Sequence, residues 1–205
     1  MVKVNYRMFN SKLEYENYCS AILKKRKSME ISDLHNKTSE EILSISGQAA
    51  SVPVDVKAIL EKLNISAIPF DFSEIEEKLP EEYAGLNILG ALISNDDNAA
   101  ILYSSKDKQD SHRMRFTIAH EIAHCCLHGT RQHIEFRIDG DLDDDEIAAN
   151  TYAGELLIPE KALKDIIKQL LVPTITALAD IFDVSINVMS ERIKYLQLED
   201  QIVGV

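Results

Sequence analysis

Along this chain the spacing of apolar residues changes from segment to segment, and the changes outline its elements. Behind Asp55, whose side chain can cap a first turn, Val56, Ile59, Leu60 and Leu63 fall on one helical face, so a helix is predicted through Leu63. Residues 65–70 read as a strand. Residues 86–94 and 99–104 are short apolar runs joined by Asn95-Asp96-Asp97-Asn98, a turn composition, and predict a β-hairpin. Everything after Asp110 reads as helix, over residues 111–128, 143–157, 159–171, 174–182 and 185–196, with Pro159 and Pro173 at helix starts. Upstream, residues 11–27 carry Leu13, Tyr18, Ile22 and Leu23 at helical spacing and end in Lys24-Lys25-Arg26-Lys27, cations suited to a helix C-terminus. Residues 39–45 add a short helix, which Ser46-Gly47 breaks. The predicted class is α+β, a small antiparallel sheet followed by a helical half. Three segments are expected: an N-terminal helical extension (1–50), a core (51–172) and a C-terminal helical subdomain (173–205).

Composition narrows the function classes. A chain of 205 residues can bury a core without staples. Its formal charge of −12 disfavours direct nucleic-acid binding, which needs a basic footprint, and disfavours anionic membrane surfaces. The longest uncharged apolar stretch, residues 169–179, contains Pro173 and is far short of a membrane span. The chain has 3 cysteines, an odd number, and Cys125 and Cys126 are neighbours, which points to a reducing compartment. No signal-peptide pattern opens the sequence, so a cytoplasmic protein is expected.

The chemistry concentrates in Arg115-Phe-Thr-Ile-Ala-His120-Glu121-Ile-Ala-His124, which contains H-E-x-x-H. On a helix, His120 and His124 project from one face and can share a Zn²⁺. Glu121 is rotated about 100° from His120 and stands beside the metal, where it can take a proton from the attacking water and pass it to a leaving amine.

A catalytic site needs a third protein ligand. The long metzincin pattern fails, because Leu127 and Thr130 occupy its Gly and His positions. His128 continues the i, i+4 series but lies about 12 Å up the axis from His120, which favours a structural or rim role. Glu146, four residues before Asn150 on a second helix, is the better candidate, with Asn150 fixing a ligand imidazole from the outer shell. A competing reading makes Asp143-x-x-Glu146 a capping box, with Glu146 reaching back to the cap; Asp144 or Asp145 would then be the next ligand candidates.

Taken together, Arg-Phe-Thr-x-Ala-His-Glu-x-x-His (115–124) and Glu-x-x-Ala-Asn-x-Tyr-Ala-x-x-Leu-Leu-x-Pro (146–159) resemble the ImmA/IrrE family of zinc metallopeptidases. Weaker similarity extends to residues 53–57, to residues 181–185 and to Arg192. The resemblance implies a zincin-like core with zinc on His120, His124 and Glu146, and Glu121 as acid/base. It also implies a specific protein substrate, a helix-turn-helix repressor, in a setting of transcription regulation or a mobile element. Two rivals are a non-proteolytic zinc-binding regulator that holds a repressor, and a DNA-binding regulator using the C-terminal helices.

Other features carry ordinary readings beside the functional ones. Residues 139–145 have an EF-hand flavour, but Asp144 replaces the required Gly and Asn150 the closing Glu, so an acidic loop with Asp143 as N-cap is expected. Cys125 reads as a buried helical thiol. Residues 174–194 have a helix-turn-helix rhythm, yet Asn187, Ser190, Glu191 and Lys194 offer little positive charge to phosphate. Tyr83, Tyr103, His112, His133 and Tyr152 are candidate oxyanion donors, and residues 90–94 a possible edge strand for an extended substrate.

Overall fold

The computed structural model describes residues 2–3, 31–79, 81, 84–94, 99–106, 111–128, 133–138 and 143–204. The helix expected at 11–27, the turn at 95–98 and the loop at 139–142 lie outside these residues. In chain order the elements are β1 (Val2–Lys3), α1 (Ser39–Ile45), α2 (Val56–Leu63), β2 (Ser66–Phe70), α3 (Ser73–Glu76), β3 (Ile88–Ser94), β4 (Ala99–Ser104), α4 (Ser111–His128), β5 (His133–Ile138), α5 (Asp144–Leu157), α6 (Glu160–Gln169), α7 (Ile175–Phe182) and α8 (Ile186–Tyr195). The class is α+β.

The sheet has five strands in the order β1-β5-β3-β4-β2. The predicted hairpin is present, β3 pairing antiparallel with β4 from Gly90↔Tyr103 to Ser94↔Ala99. Three features depart from the sequence reading, the first being β1, a strand within the segment expected as a helical extension, which pairs antiparallel with β5. The sheet is mixed rather than antiparallel, because β2 runs parallel to β4. And β5 lies after Asp110, where the sequence reading expects only helices; it pairs antiparallel with β3. Its residues, His133-Ile-Glu-Phe-Arg-Ile138, alternate strictly between apolar and polar, the period of a strand. With β5 on one side and β4 on the other, β3 is central, so residues 90–94 have no free edge for a substrate. Both faces of the hairpin are buried: Leu92, Ala99 and Ile101 join the helical core, and Ala91, Ile93, Ala100 and Leu102 are equally inaccessible. Burial on both faces explains why these strands read as continuous apolar runs instead of alternating ones.

One hydrophobic core runs from Leu34 through Ile59, Ile118, Leu156 and Phe182 to Ile202, so the described part of the first fifty residues and the C-terminal helices share it. Helix α4 packs on β3, β4 and α5. Two buried arginines tie the C-terminal pair α7–α8 to the central helices. Arg115 of α4 donates from Nε to Asp183 O at 2.9 Å, and its Nε lies 3.0 Å from Asp183 Oδ2. Asp183 itself ends α7 in a left-handed conformation, φ 52°. Arg192 of α8 donates to Ile158 O at 3.2 Å, just past the end of α5, and faces Glu155. No helix among the described residues is long and apolar enough to cross a membrane.

Candidate metal centre

Helix α4 is buried along most of its second half, from Thr117 to Cys126. Its two histidines there need partners, which α5 supplies from the side. Asp143 caps α5, its Oδ1 accepting from Glu146 N–H at 2.8 Å. The capping role thus falls to Asp143, and the Glu146 carboxylate is left to face α4. Its Oε2 lies 3.2 Å from His120 Nε2 and its Oε1 3.3 Å from His124 Nε2. The two Nε2 atoms are 2.9 Å apart. All three residues are at most 1% exposed.

The two imidazole nitrogens and the carboxylate have spacings close to those of a metal site. Around a tetrahedral ion with bonds of about 2.0–2.1 Å, neighbouring ligand atoms stand about 3.3–3.4 Å apart. His120, His124 and Glu146 are the group among the described residues that could hold a metal ion. Burial opposes charge on Glu146, but the hydrogen bonds and charges of the two imidazoles outweigh it and hold the carboxyl below its ordinary range. An anionic carboxylate is the form that binds a cation.

Asn150, one turn after Glu146, meets His120 from behind. His120 Nδ1–H donates to Asn150 Oδ1 at 3.0 Å. This bond fixes the tautomer and leaves the Nε2 lone pair pointing at the donor cluster. Glu121 is 1% exposed and lies over β3, where its Oε1 comes within 3.0 Å of the place a Cβ on Gly90 would take. In the sequence Gly90 reads only as a strand residue; a lone glycine inside a strand is the available signal of a close approach.

The remaining candidates sort by position. His128 stacks beyond His124, ring centroids 5.4 Å apart, is one third exposed, and its Nδ1 is 4.0 Å from Asp145 Oδ1, so it stands at the rim. Tyr152 is committed elsewhere, its hydroxyl donating to Lys37 O at 3.0 Å. His112 pairs with Asp183 at 3.1 Å. Tyr103 lies opposite Gly90 in the β3–β4 register, so the two share the sheet face that meets Glu121. Tyr83 and the side chain of His133 lie outside the described residues. On α8, Lys194 is paired with Glu191 at 2.9 Å, which removes a cation from the face a DNA-binding reading would use.

A model of the IrrE N-terminal-like domain, a peptidase family, matches residues 86–194, more than half of the chain. The chain belongs to this family. A comparison with curated proteins found no match. The IrrE N-terminal-like span runs from just before β3 to the last turn of α8 and contains every member of the site, together with Arg115 and Arg192. Residues 53–57 lie outside it. Family and donor cluster together make this a metallopeptidase-type protein with a buried group able to take a metal ion.

Proposed function

We propose that this IrrE N-terminal-like protein is a zinc-dependent endopeptidase of the cytoplasm that cleaves one peptide bond in a specific regulatory protein, a helix-turn-helix repressor. The observation that carries the catalytic part is the convergence of His120 Nε2, His124 Nε2 and the Glu146 carboxylate, which sets one oxygen within about one tetrahedral edge of each imidazole nitrogen. Two imidazoles and one carboxylate form the donor set of thermolysin-type zinc sites, which keep a fourth position open. Zinc bound there would polarise the scissile carbonyl and acidify water at that position.

The chain's own residues do the rest. Asn150 holds the His120 ring in the tautomer and orientation that ligation needs. Glu121 accepts the proton of the attacking water, holds it in a buried environment away from bulk solvent, and delivers it to the departing amine nitrogen. A tetrahedral oxyanion then needs a donor, and among the described residues Tyr103 is the candidate that placement favours. The substrate assignment rests on resemblance to the ImmA/IrrE family, and the chain's −12 charge fits a protein partner better than DNA.

The test is co-expression with the repressor gene lying nearest on the chromosome, with and without zinc chelation. A discrete fragment should form with wild type and be absent with Glu121→Gln, while both proteins carry zinc. An intact repressor held in a stable complex with zinc-loaded wild type would establish the non-proteolytic alternative instead.

A further inference from the structure

Gly90 follows an irregularity in the central strand: Ile88 pairs with Ile138 and Gly90 with Arg137, so two steps on β3 oppose one on β5 and Leu89 is the extra residue of a bulge. The glycine is not required by its backbone, since its φ does not fall in the left-handed region where Gly47, Gly85 and Gly204 lie. It is required by space. A Cβ there would stand 2.6 Å from Thr117 Cγ2, 3.0 Å from Glu121 Oε1 and 3.2 Å from Leu102 O. The third of these is backbone of the neighbouring strand, which gives way less readily than a side chain. Thr117 and Glu121 are one turn apart on α4, so the hollow left by Gly90 holds the methyl of the first and the carboxylate of the second.

We propose that Gly90 is a positioning residue for Glu121: the side chain it lacks is the space in which the Glu121 carboxylate is seated beside the donor cluster. The inference rests on the reading of Glu121 as proton acceptor and extends it to the sheet. A purely structural account holds that glycine only lets α4 approach β3. The two accounts separate because the tightest contact, with Thr117 Cγ2, can be removed without touching Glu121. Thr117→Ser deletes that methyl and keeps the hydroxyl.

The experiment uses the zinc-loaded full chain and acetohydroxamic acid, a probe that chelates zinc as its anion after handing its proton to an adjacent base. Zinc content, thermal unfolding and probe affinity by calorimetry are measured for wild type, Glu121→Gln, Gly90→Ala, Thr117→Ser and the Gly90→Ala/Thr117→Ser double variant. Gly90→Ala should keep zinc, unfold at lower temperature and bind the probe roughly tenfold or more weakly, as Glu121→Gln does. The double variant should regain part of the lost thermal stability without regaining probe affinity. If Gly90→Ala alone fails to fold, the double variant carries the comparison. Recovery of probe affinity together with stability would overturn the proposal in favour of packing alone, as would wild-type affinity in Gly90→Ala. Wild type that takes no zinc would overturn the proposed function, and this inference with it.

Discussion

Asn150 Oδ1 accepts a hydrogen bond from His120 Nδ1 at 3.0 Å, linking the two site helices through the back of an imidazole of the donor cluster. Because Glu146 lies one turn earlier on the same face of α5, a single helix contacts both ends of the donor cluster. The two residues nevertheless carry different loads, and zinc affinity separates them. Asn150→Ala should weaken zinc by about 10–100-fold, the usual cost of an outer-shell partner. Glu146→Gln should weaken it further, as should His120→Ala and His124→Ala, whereas Glu121→Gln should bind zinc like wild type. Competition with a chromogenic chelator ranks them. Wild-type affinity in Glu146→Gln would remove it from the ligand set.

Arg115 holds the α7–α8 turn against α4 through Asp183 Oδ2 and the carbonyls of Phe182 and Asp183. Arg115→Ala leaves these acceptors without a charged donor and should cost about 2 kcal/mol of stability. Asp183→Ala removes part of the same network, so the double variant should lose less than the sum of the singles. Urea unfolding of the set measures this, and strict additivity would mean that the pair does not act as a unit.

Glu41 closes a capping box on α1, the helix that packs on α5, by accepting from Thr38 N–H at 2.8 Å. That backbone bond first, and the Thr38 hydroxyl second, lower the Glu41 pKa below 4.5. A group whose pKa is depressed on folding stabilises the fold above its unfolded value and stops doing so as pH falls through its folded one. Wild type should therefore exceed Glu41→Gln in stability near neutral pH, and the gap should close as pH falls below 4.5. A gap that widens on acidification would contradict the capping role.

Cys125 and Cys126 are fully buried in α4, and burial pushes the Cys126 thiol up to about 11, against a smaller opposing effect of its hydrogen bond with Tyr152. Both thiols should resist alkylation in the native protein at neutral pH and react after unfolding in denaturant. Peptide mapping distinguishes the two conditions at each cysteine, and native-state labelling of Cys126 would show that α4 opens readily.

Much of this architecture follows from local chemistry. Helix α4 ends where the sequence predicts, α5, α7 and α8 start behind Asp143, Thr174 and Ser185 acting as caps, and the β3–β4 hairpin lies where the apolar runs and turn residues place it. Helical periodicity also puts His120 and His124 on one face, because a repeat of 3.6 residues brings positions four apart together whatever surrounds them. Strand β5 was legible too, in the alternation of Ile134, Phe136 and Ile138 with polar neighbours, but lay inside a stretch of helical pattern.

What the sequence could not decide was anything that depends on two distant segments meeting. Whether Glu146 caps its own helix or faces two histidines depends on where α5 docks, and both outcomes fit the same local pattern. Docking against α4 settled it, with Asp143 taking the cap. The parallel pairing of β2 with β4, the central place of β3 and the need for a glycine beneath Glu121 belong to the same class. Each is a contact between residues far apart in the chain, and side-chain periodicity records only which face of an element is buried, not what buries it.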